Sequence, residues 1–88
     1  MVVKNVLEHI VWQQLDEVLE RFPEMCRCEK CRADIAAYTL NHMKPHYVVS
    51  EKGALFAKTQ SLDASFKVEL LIIMSEAVKQ VQAHPRHE

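Results

Sequence analysis

Three cysteines fall within six residues, Cys26-Arg27-Cys28-Glu29-Lys30-Cys31, and that cluster limits what the chain can become more than any other stretch of it. A C-x-C-x-x-C spacing on a turn that leads into a helix aims three sulfurs at one point. The first amides of such a helix have no intrahelical partner and point the same way. Together with the cationic side chains of Arg27, Lys30 and Arg32, they favour thiolate over thiol. An odd cysteine count in a chain whose first residues lack a cleavable signal pattern argues against a disulfide framework. Zinc, a borderline-soft ion that takes thiolates in tetrahedral sets, is therefore the expected structural guest of Cys26, Cys28 and Cys31.

Three sulfurs leave a fourth coordination position. His42, His46, His84 and His87 are the candidates, with His87 leading if the last helix returns toward the turn. The plainer alternative is a reduced, metal-free thiol cluster with solvated histidines. A further alternative treats Cys28 and Cys31 as a redox pair, because C-x-x-C opening a helix resembles a thioredoxin-like site. That architecture needs a βαβ context, and no strand pattern precedes the turn. Redox sensing here would show as reversible disulfide formation with loss of metal.

Around the cysteines the spacing is helical. Val6, Leu7, Ile10, Val11, Leu15, Val18, Leu19 and Phe22 recur at three- and four-residue steps, predicting a helix over 5–22 that Pro23 closes. Asn5 and Glu8 have the spacing of a capping box. A second helix is expected from Glu29 to about His42, ended by Lys44-Pro45. An extended step over 46–49, a turn over 50–53 and a short helix near 54–59 follow. The last helix should run from Ser61 or Leu62 to Ala83, stopping before His84-Pro85. The expectation is a single domain over residues 1–88, all-α, of three to four helices with an extended loop.

That last helix is apolar over most of its circumference. Leu62, Phe66, Leu70, Ile73, Ala77 and Val81 form one face, and Val68, Leu71, Ile72, Met74 and Val78 fall on others. A chain of 88 residues has few helices with which to wrap it, so a second copy of the chain is the expected cover. A central helix wrapped within one chain is the alternative.

Several function classes are disfavoured. Eleven Lys and Arg against twelve Asp and Glu give a formal net charge of −1, without the basic surplus of a phosphate-driven nucleic-acid binder. The longest apolar run, Leu70 to Met74, is too short to span a bilayer, so no membrane role and a cytoplasmic location are expected. No H-E-x-x-H, G-x-S-x-G or glycine-rich phosphate loop occurs, the single glycine being Gly53. The chain is not expected to be an enzyme.

The stretch CRCEKCRADIAAYTLNHMKPHYVVSEKG, with Cys26, Cys28, Cys31, Asp34, Asn41, Pro45 and Tyr47, and the terminal HPRH resemble the late competence ComFB family. The resemblance covers most of the chain. It implies an all-helical protein that dimerises and carries zinc at the cysteine turn. Some relatives place a fourth cysteine after the proline-arginine pair, where this sequence offers His87.

The family is linked to natural competence, and relatives in photosynthetic bacteria look like receptors for cyclic dinucleotides, especially cyclic di-GMP. The resemblance therefore implies a dimeric regulatory protein that binds cyclic di-GMP and is linked to competence or motility. Arg32 and Lys52 would then answer the phosphates and Tyr47 would stack on a guanine. The alternative is a zinc-stabilised interaction module that docks another protein and binds no nucleotide. Asp34, Tyr38 and Asn41 share one face of the second helix; the expectation is that Asp34 and Asn41 hydrogen-bond neighbouring loop backbone.

Overall fold

A computed structural model of the protein describes residues 3–49, 52 and 64–83. Its helices are α1 (Val6–Leu19), α2 (Glu29–Asn41) and α3 (Ala64–Ala83), with two-residue strands β1 (Lys4–Asn5) and β2 (Tyr47–Val48). The all-α expectation holds. The short helix foreseen near 54–59 lies outside the described residues, as do most of the turn before it and the start of the last helix.

α1 starts because Asn5 caps it in extended geometry, its side-chain oxygen accepting the Leu7 N–H at 3.2 Å. That same oxygen accepts the His46 N–H at 2.9 Å, and Val6 N–H donates to the His46 carbonyl at 2.8 Å. One side chain thus joins a helix start to a strand more than forty residues away. β1 and β2 are antiparallel, with Lys4 opposite Val48 and Asn5 opposite Tyr47. The extended step is borne out; its pairing with the N-terminal segment was not foreseen.

The first helix ends at Leu19 rather than Phe22. Arg21 and Phe22 N–H donate to the carbonyls three residues back, at 3.0 Å each, so the last turn tightens before Pro23 forbids continuation. Met25 N–H then donates to Phe22 O at 3.0 Å, closing a turn with Pro23 at its second position. Met25 is buried there, sealing the end of the core.

The core lies where the three helices meet. α1 contributes Leu7, Val11, Leu15 and Leu19; α2 contributes Cys31, Ile35 and Ala36; α3 contributes Leu70, Met74, Ala77, Val78 and Val81. The buried face of α3 differs from the expected one. Met74 and Val78 are fully buried, whereas Phe66 and Ile73 are only partly so. A single face packs on α1 and α2, and Val68 and Ile72 are left 56% and 54% exposed. The one fully buried polar side chain among the described residues, Thr39, returns its hydroxyl to Ile35 O at 2.9 Å, so no buried hydrogen-bonding capacity is wasted.

Candidate metal centre

The turn that follows Met25 delivers the cysteines in graded exposure: Cys26 exposed, Cys28 intermediate and Cys31 buried, none of them in a disulfide. Cys28 takes the N-cap position of α2 in extended geometry (φ −67°, ψ 160°). Its sulfur fills the role usually given to a serine or aspartate oxygen, accepting the Cys31 N–H at 3.4 Å. Arg32 N–H to Cys28 O, at 3.0 Å, is the first regular bond of the helix. The three sulfurs all lie within 4.8 Å of one another.

That geometry suits the expected ion. Tetrahedral thiolates at ~2.3 Å from zinc stand ~3.8 Å apart, so about 1 Å of side-chain adjustment closes the widest gap. The donor set is all sulfur among the described residues. His42 and His46 do not join it: neither ring has a ligand atom in the group that converges there, and the His42 ring stacks on Tyr38 with centroids 4.0 Å apart and its Nδ1 2.7 Å from Tyr38 O. His84 and His87 lie outside the described residues.

The surrounding charges are arranged differently from the expectation that they would promote thiolates. The Arg27 guanidinium donates to Leu19 O at 2.6 Å, closing the C-terminal end of α1. Arg32 pairs with Asp16 across α1 and α2, and Lys30 pairs with Asp34 on its own helix at 3.5 Å. The hydrogen bond from Arg32, with its charge and that of Arg27, holds the Asp16 carboxyl below the usual range although burial opposes it. With no ion bound, burial pushes the Cys31 thiol up to about 12, and the neighbouring sulfurs of Cys28 and Cys26 push the same way. An ion arriving here must displace that proton; in return it supplies the positive charge that the side chains do not.

The residues implied as nucleotide contacts are dispersed in role. Arg32 is engaged with Asp16, Tyr47 is exposed on β2, and Lys52 is exposed. Two surface depressions occur elsewhere. One is lined by Ala64, Ser65, Val68, Glu69, Ile72 and Ile73 on the outer side of α3; the other lies between α1 and α3, around Val18, Arg21, Lys67 and Leu71. The Asp34 and Asn41 expectation is corrected: Asp34 is paired with Lys30, Asn41 is exposed, and the side chain serving loop backbone is Asn5. No described helix is long and apolar enough to cross a membrane.

The family model described as late competence development protein ComFB matches residues 4–85. The competence protein ComFB of Bacillus subtilis (strain 168) is 27% identical over 81 residues, 92% of this chain and 83% of the relative. The solved structure of the late competence protein ComFB from Bacillus subtilis superposes with a TM-score of 0.85 at 26% identity, covering 98% of this chain and 97% of that one.

Proposed function

Since the chain belongs to the late competence development protein ComFB family, we propose that it is a small regulatory protein whose cysteine turn holds a structural zinc ion and which works as a homodimer. The observation that carries the reading is the convergence of Cys26, Cys28 and Cys31 at the mouth of α2. Bound there, zinc supplies cross-linking and charge neutralisation. The protein's own groups do the rest. Cys28 caps the helix, Cys31 anchors the cluster in the core, and Arg27 ties the turn to the end of α1. His87 is the proposed fourth ligand.

The dimer rests on α3. Val68 and Ile72 lie exposed along an apolar depression where Glu69 is the one charged group among the described lining residues, and a second copy of the helix is the cover proposed for it. The protein would then act by docking another factor of the competence or motility apparatus. Native mass spectrometry of untagged protein purified without chelator tests both parts at once. A mass of two chains carrying two zinc ions is the expected result; apo monomer from a zinc-supplemented preparation would sink the reading.

A cyclic di-GMP receptor is the second reading, favoured by the exposed ring of Tyr47 and by the exposed His42 ring stacked on the half-buried Tyr38. Its site would need Arg32 to leave Asp16 and meet Lys52 and Tyr47 around two phosphates. Calorimetric titration decides it: heat that disappears in Arg32→Ala supports the receptor, and silence at high micromolar ligand leaves the interaction module.

A further inference from the structure

The entry to α2 has a property that metal binding does not use. Cys28 at the N-cap and Cys31 three residues on share one side of the first helical turn, held together by the Cys31 N–H on Cys28 Sγ. Cys31 is buried, Cys28 is reachable from solvent, and Cys26 lies outside both within 4.8 Å. We propose that Cys28 and Cys31 are a redox-active dithiol, which a hydroperoxide converts to an intrachain disulfide while Cys26 remains a thiol. The local geometry of a C-x-x-C redox site is present here without the surrounding fold in which that motif is usually met.

Of the three possible disulfides this one disturbs least. Linking N-cap to third helical residue preserves the Arg32 N–H to Cys28 O bond that starts the helix. Cys26 and Cys28 are separated by one residue in a non-helical turn, and bridging them closes a small, strained ring. Bridging Cys26 to Cys31 would draw an exposed residue into the core.

The chemistry balances in two steps. The Cys28 sulfur attacks the peroxide oxygen, breaking the O–O bond and giving a sulfenic acid and one molecule of alcohol or water. The Cys31 sulfur then attacks the Cys28 sulfur, and the departing hydroxide leaves as water with the Cys31 proton. Two thiols lose two electrons and one peroxide gains them. If Cys26 is oxidised first, exchange within the cluster carries the bond inward to the same pair. No step needs the ion, so the inference stands apart from the zinc proposal. Where zinc is bound, the reaction leaves it a single sulfur and releases it.

The test uses the full-length chain, stripped of metal by chelator and exposed to hydrogen peroxide, read by thiol counting and peptide mapping. The expected result is a fall from three thiols to one, a mapped Cys28–Cys31 link, and recovery of all three with dithiothreitol. Cys26→Ser, a change at an exposed position, should fall from two thiols to none with the same link. Three intact thiols, a final Cys26–Cys28 link, links only between chains, or sulfinic acid without any disulfide would each overturn it. Zinc content of the untreated protein is a separate readout, so the two proposals fail independently.

Discussion

Asn5 carries more of the architecture than its size suggests. Its one carboxamide oxygen answers the Leu7 amide of α1 and the His46 amide beside β2. Asn5→Ala should therefore lose a helix cap and a strand anchor together, at about 1–2 kcal/mol in urea unfolding, while Asn5→Asp keeps most of it. A loss no larger than that of an ordinary surface change would show the cap to be idle. Cys31 makes a prediction of opposite chemistry. Its thiol is raised from an ordinary value of 9.0 to about 12 when no ion is bound, so the fold prefers the protonated form. The stability this lends is complete below the ordinary value and is lost as pH climbs through 9 toward 12. Metal-free protein should unfold at lower urea at about pH 10 than at about pH 8, and Cys31→Ala should narrow that gap. The three sulfurs were legible because C-x-C-x-x-C fixes them locally. The fate of the basic residues was not, since Arg32 meets Asp16 and Arg27 meets Leu19 only once α2 has packed on α1.

Among the elements, α3 separates burial from mere hydrophobicity. Met74 has no exposure at all, and Met74→Ala should cost about 2–4 kcal/mol by leaving a cavity among Leu70, Ala77 and Val78. Ile72→Ala, at a half-exposed position, should leave the stability of the single chain nearly unchanged in the same assay. Equal losses at both sites would mean that the buried face has been misplaced. The existence of the three helices was readable from three- and four-residue spacing, and the Glu29 start of α2 fell where it was expected. The choice among the apolar faces of α3 was not readable, because periodicity reports a stripe and only the neighbouring helices decide which part of a wide stripe is covered. β1 and β2 escaped for another reason: two residues are too few to show alternation, and their partners lie on opposite sides of two helices in sequence.

For the molecule as a whole, self-association is the property most open to measurement. Ile72→Glu or Val68→Glu places a carboxylate on the apolar side of α3; if the proposed homodimer forms there, light scattering should report a double mass for the parent protein and a single-chain mass for the variants. Retention of the double mass in both variants would move the interface elsewhere. The ribbon of β1 and β2 bears on how the molecule comes into being. Asn5 and Tyr47 are neighbours in space but are separated by most of the first half of the chain, so their pairing closes a long loop for the sake of a very short ladder. Such a closure has too little to hold it until α1 and α2 are already side by side. It is the last stitch in assembling this half of the protein and the first to slip, and amide hydrogens on Val6 and His46 should exchange with heavy water well ahead of those in the middle of α1.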